Sequence, residues 1–200
     1  MIFPVFRRGP RIRNIHALYG MIVTQARSAV FYTDYGVPDT VQGRFELIVL
    51  HLVLLLNRLE GGDRPGTDGE NDGYPSPSSA AGSAGSTLGQ RLFDVFCRDL
   101  DDNLREMGVG DMAVPRTMRR FGEAFYGRQA AYRAALAAAD ARELENALAR
   151  NIFETAGADA KAERLARYVR AAALQLDTEE ENSLVAGKVV FPSPEAFAHA

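Results

Sequence analysis

Two hundred residues, 46% of them hydrophobic, are enough for one domain with a sizeable core and too few for two comfortable ones. A formal net charge of −3 argues against a general nucleic-acid binder, so no DNA partner is expected and only a local basic face remains open. One cysteine and three scattered histidines exclude an internal disulfide and a zinc framework; no metal or cofactor is expected, and Cys97 reads as a small core residue in a reducing compartment.

The N-terminal stretch MIFPVFRRGPRIRN is basic through Arg7, Arg8, Arg11 and Arg13. It has neither the apolar run and cleavage site of a signal peptide nor the length of a transit peptide, which predicts a cytoplasmic, bacterial protein. From about Arg11 to Val30, Ile15, Leu18, Tyr19, Ile22 and Ala26 form one helical stripe. Phe31, Tyr32 and Tyr35 crowd before Gly36 and Pro38, where the chain turns with its aromatics folded inward. Asp39 through Gln42 reads as a capping box, Asp39 accepting from the first free amides and Gln42 reaching back. The helix it opens, Thr40 to Leu59, is apolar almost all round from Phe45 to Leu56 and is expected to be central, ending at Gly61 and Gly62. Its apolar run is far short of the roughly 20 residues that cross a bilayer. His51, in the middle of that helix, reads as a neutral imidazole hydrogen-bonded to a neighbouring helix, since no His, Met or Cys stands beside it to share a metal.

Gly61 to Thr87 is rich in Gly, Ser, Pro and Asp and reads as a disordered insertion inside a single domain spanning residues 1–200. A helix over Leu88 to Met107 follows from Leu92, Phe93, Phe96, Leu100 and Leu104. Its other face carries Asp99, Asp101, Asp102 and Glu106, three and four apart, a spacing that can share a divalent ion. The reading preferred is a solvated face paired with Arg98 and Arg105, because no facing helix supplies a second acidic cluster. Gly108 and Gly110 stop that helix and Pro115 restarts one near Val114. On the new helix Met118, Phe121, Phe125, Tyr132 and Leu136 face the core, with Arg116, Arg119, Arg120, Glu123 and Arg133 opposite. Gly127 breaks this pattern at a cost of about 1 kcal/mol, so a packing or contact reason is expected for it. A second capping box, Asp140 with Glu143, opens a short helix with Leu144, Leu148 and Ile152 inward, closed by Gly157. The last long helix runs from Asp159 to Leu176 on Ala162, Leu165, Val169, Ala172 and Leu176, with Lys161, Arg164, Arg167 and Arg170 outside. An acidic patch (Asp177, Glu179, Glu180, Glu181) and an irregular strap complete the chain. The fold predicted is all-α: a single-domain bundle of about six helices around the central apolar helix.

Two separated blocks resemble one family. The first comprises QAR at Gln25 to Arg27, FY at Phe31 and Tyr32, and GVPDTVQGRFELIVLHLVLLLNRL from Gly36 to Leu59, which contains Asp39, Arg44 and His51. The second comprises LREMGVGD from Leu104, with Gly108 and Gly110 ahead of Pro115, then AFYGR from Ala124, and AY and AL at Ala131, Tyr132, Ala135 and Leu136. Both are similar to the ubiquinol-cytochrome c chaperone family, assembly factors for cytochrome b of the bc1 complex. The resemblance implies a non-enzymatic binding protein whose client is cytochrome b. Its mitochondrial members also work with a small partner protein and the ribosome. Arginine and tyrosine commonly dominate interface energies. The partner surface is therefore expected around the Gly108–Asp111 corner, from Arg105, Asp111, Arg119, Arg120 and Arg128, with Tyr126 and Tyr132 as anchors and Gly127 permitting close approach. The alternative is a magnesium-dependent helical enzyme acting on a prenyl diphosphate or similar lipid through Asp99, Asp102 and Glu106. The basic helix faces also suggest peripheral contact with the cytoplasmic face of the inner membrane.

Overall fold

A computed structural model of the chain describes residues 12–61 and 84–198, and every regular element among them is a helix. Six helices of eleven residues or more make the frame: α1 (Ile12–Ala26), α3 (Val41–Gly61), α4 (Ala84–Glu106), α5 (Val114–Ala137), α6 (Ala141–Asn151) and α7 (Ala160–Thr178). Three short ones, α2 (Val30–Thr33), α8 (Glu181–Val185) and α9 (Glu195–Ala198), dress it.

The apolar character of α3 places it at the centre, in contact with α1, α4, α5 and α7. Nine of its ten residues from Leu47 to Leu56 are buried, Ile48 being half-buried. All five stripe residues of α1 and all five of α7 are buried against the same core. Buried area of this kind is the main stabilising contribution, on the order of 1.5–3 kcal/mol for each large side chain taken fully out of water.

The local signals are shifted in four places. Thr40, not Asp39, caps α3: its Oγ1 accepts from the Gly43 amide at 3.1 Å. Asp39 instead binds Arg44 at 2.7 Å, and Gln42 turns forward to Glu46 rather than back. Gly43 is needed here, because a Cβ on it would lie 2.0 Å from the Pro38 carbonyl oxygen. Helix α1 stops at Ala26, and Val30 belongs to the separate turn α2. Ala84 to Thr87 form the first turn of α4, so the expected insertion does not reach Thr87; its residues 62–83 lie outside those described, as do Arg7, Arg8 and Arg11. After α6 the reversal is made by Glu154 at φ 55°, not by Gly157.

Asp140 and Asp159 cap α6 and α7 through the amides of Arg142, Lys161 and Ala162. The strap carries α8 and α9 and is fastened to the opposite end of the chain. Tyr35 Oη donates to the Pro194 carbonyl at 2.7 Å and Gln25 Nε2 to that of Pro192 at 3.0 Å.

Candidate partner-binding site

The corner between α4 and α5 is built by a glycine. Gly108 takes φ +81°, and its amide donates to Arg105 O while the Val109 amide donates to Leu104 O. These two bonds satisfy the carbonyls left over at a helix end, and Val109 packs back on the core beside Leu104. Gly110 is not in the left-handed region; its carbonyl instead receives the Ala113 and Val114 amides as α5 begins, with Pro115 in its first turn. Arg105 bridges Asp101 and Asp111 across the corner, and Met112 stands 95% exposed at its tip.

From that corner the predicted residues part company. Arg119 binds Glu123 at 3.2 Å on the outer face, and Arg120 is exposed beside it. Arg128 lies 14 residues beyond Val114, about 20 Å along α5 at 1.5 Å per residue, and does not join the corner. Its guanidinium grips the Glu46 carboxylate of α3 with two bonds, Nε to Oε2 at 2.6 Å and Nη2 to Oε1 at 2.5 Å. Gln42 Nε2 adds a third at 2.6 Å. Glu46 is 2% exposed and Arg128 20%. Burial pushes the Glu46 carboxyl above its ordinary value, against the pull of Arg128 and Gln42. Arg128 is thus a clamp between α3 and α5 rather than a free surface cation. Above the clamp is a hollow of about 330 Å3 whose lining includes Gln42, Phe45, Arg120 and Arg128, so that two of the predicted arginines border it.

Tyr132 is wholly buried and is no surface anchor, as its core-facing position on α5 requires; burial raises its hydroxyl pKa strongly. Tyr126 is 43% exposed, its ring 5.9 Å from that of Phe93 on α4. Gly127 is exposed, and a Cβ there would meet no other group within 4 Å, so no packing reason among the described residues accounts for it.

His51 sits in a polar network that the sequence signalled only at His51. Its Nδ1 lies 2.7 Å from the Leu47 carbonyl, which can only accept, so Nδ1 carries the proton and Nε2 accepts from Tyr168 Oη at 2.8 Å. Tyr168 Oη in turn accepts from Gln25 Nε2 at 2.9 Å. Complete burial lowers the imidazole pKa to about 4, so the ring is neutral, as expected. Gln25 and Phe31, both in the first family-like block, belong to this interior: the Phe31 ring is 5.5 Å from His51 and 5.0 Å from Tyr168.

The acidic face of α4 is divided. Asp99 accepts from Tyr19 Oη of α1 at 2.7 Å and Asp101 is held by Arg105, while Asp102 and Glu106 face solvent. Among the described residues, no three His, Cys, Asp or Glu side chains converge as a metal site would need. The arginines of α7 are also committed: Arg164 donates to Asp34 O, Arg167 to Glu163 and Arg170 to Ala141 O. A cleft of about 660 Å3 lies between α3, α5 and α7 over Leu54, Leu136 and Leu174.

This frame is shared with known proteins. The crystal structure of the Cbp3 homolog from Brucella abortus superposes with a TM-score of 0.74 at 35% identity, covering 92% of this chain and 91% of that one. Ubiquinol-cytochrome c reductase complex assembly factor 1 of Drosophila melanogaster is 27% identical over 165 residues, 82% of this chain; the chain spans 58% of that relative's length. The profile of the family described as ubiquinol-cytochrome C chaperone matches residues 33–191, from the end of α2 into the strap, and the chain belongs to that family.

Proposed function

We propose that the chain is an assembly chaperone of the cytochrome bc1 complex that binds newly made cytochrome b and holds it until haem and partner subunits are in place. It acts by binding, not by catalysis. The observation that carries this reading is the family match over residues 33–191, which takes in the central helix, the α4–α5 corner and the Arg128 clamp together. The Drosophila relative, an assembly factor of the ubiquinol-cytochrome c reductase complex, points the same way. The surface offered for the client is the corner tip with Arg105, Asp111 and Met112, continued along α5 through Arg119, Arg120, Tyr126 and Gly127. A small partner protein and the ribosome are further partners on this reading. Peripheral contact with the inner membrane would fall to Arg116 and Arg120, since the α7 arginines are turned to carbonyls and Glu163. No described helix is long and apolar enough to cross a membrane.

The test is the reduced-minus-oxidised haem spectrum of membranes from cells lacking the gene, with and without its restoration. Loss of the b and c1 signals of the bc1 complex, returning on complementation, is the expected result. Unchanged signals would remove the proposal. Nothing favours the magnesium-dependent reading, because Asp99 is bonded to Tyr19 and no three acidic side chains converge among the described residues.

A further inference from the structure

We infer that the groove between α4 and α5 is the seat for an apolar α-helix of a partner protein that carries Lys or Arg beside its apolar stripe. The groove, about 350 Å3, is walled by Phe93 and Cys97 of α4 and by Met118, Phe121 and Tyr126 of α5, and Gly122 is part of its lining. Past the Phe93–Tyr126 ring contact it continues into a second hollow of about 190 Å3 bordered by Gly89, Gln90 and Gln129. From Gly89 to Leu100 the α4 wall measures about 16 Å, the length of three helical turns.

Gly122 points to a helix as the occupant. It lies in the interior of α5, where glycine costs about 1 kcal/mol relative to alanine. Nothing among the described residues repays that cost: its φ is not positive, and an added Cβ would meet no other group of theirs within 4 Å. The missing side chain leaves room for another backbone to approach closely, between aromatic walls that take large apolar side chains on either side.

Charge selects the chemistry of that helix. The groove is bordered by two carboxylates, Asp94 on the α4 wall and Glu123 on the α5 wall, both exposed. Asp94 accepts from Gln90 at 2.9 Å, and the cation lining the groove, Arg119, is bonded to Glu123. A phosphate-bearing lipid or nucleic acid would meet net negative charge here, whereas Lys or Arg flanking an apolar stripe would meet a carboxylate on each side. Identifying the helix as part of the client rests on the chaperone reading; the groove's preference for it does not.

The test uses the full chain and two fluorescent synthetic helices with the same leucine stripe, one flanked by Lys and one by Glu, titrated by anisotropy. The Lys-flanked helix is expected to bind about tenfold tighter, and Asp94→Lys with Glu123→Lys should reverse the order. Gly122→Phe should weaken binding of the Lys-flanked helix about tenfold or more while the melting temperature stays at or above that of the parent. Equal binding of the two helices, or unchanged binding by a folded Gly122→Phe, overturns the proposal. If Gly122→Phe melts lower, the charge reversal at the two exposed positions decides alone. A parent that sediments as a dimer, becomes a monomer on Gly122→Phe and binds neither helix would assign the groove to a second copy and also overturn it. In cells, a deletion that lowers bc1 haem while the charge-reversed chain restores it fully leaves the chaperone reading standing and removes the groove from it. A deletion without effect removes the chaperone reading and leaves the peptide result to judge the groove.

Discussion

A buried charge is tolerated only when it is paired, and Glu46 shows how closely. With Arg128 removed, its carboxylate would stay in the core with Gln42 alone, so Arg128→Ala is expected to cost about 3 kcal/mol in urea unfolding. Joint replacement of Glu46 and Arg128 by Leu and Met should recover most of that loss, which a client-binding role alone would not predict. Charge reversal at Arg128 should therefore lower the melting temperature together with any binding. His51 supplies a pH dependence. Its folded pKa of about 4 is below the ordinary 6.5, so between those values the unfolded chain binds more protons, and stability is present above pH 6.5 and lost as pH falls toward 4. The contribution amounts to about 2 kcal/mol between pH 7 and pH 4.5. Urea titrations at the two pH values should show that difference shrink in His51→Gln.

At the scale of the helix, glycines separate into those the backbone needs and those it does not. Gly108→Ala, at φ +81°, should destabilise by about 1 kcal/mol, whereas Gly127→Ala, on an open helix face, should stabilise by up to about 1 kcal/mol; thermal melts of the two variants give opposite signs. The long elements were legible because periodicity survives in any order of packing: the stripes of α1 and α7 name their buried faces directly. On α5, by contrast, only Phe125 and Tyr132 of the five are buried, and Met118, Phe121 and Leu136 are half-buried. The cap of α3 was not, since Asp39 and Thr40 are both good capping residues in adjacent positions and only the bend at Pro38 and Gly43 decides between them. The two helices of the strap are four and five residues long, too short to show a period. The site was less legible than the fold. Arg128 looked like a surface cation because its partner is 82 residues away, although Glu46, the one acid in an apolar helix segment, was a signal that a cation must come to it. Tyr132 was on the core face by spacing and could not serve a surface as well.

At the largest scale, the bundle is closed by the strap that carries Pro192 and Pro194. Removing the chain from Val189 onward would take away the Phe191 ring 5.2 Å from His51 and the two carbonyls that satisfy Tyr35 and Gln25. At about 1–3 kcal/mol for each buried group left unsatisfied, the truncated chain is expected to lose about 4 kcal/mol and to melt well below the parent. The same bonds have a meaning in time. Tyr35 and Pro194 are 159 residues apart, and Gln25 and Pro192 are 167 apart. A ribosome adding about 5–20 residues per second emits the acceptor for Tyr35 some 8–30 s after Tyr35 itself. Through that interval α1 and α2 wait with donors that the strap has yet to answer, so the closing of this core is set by the pace of translation and cannot precede the emergence of Pro192 and Pro194.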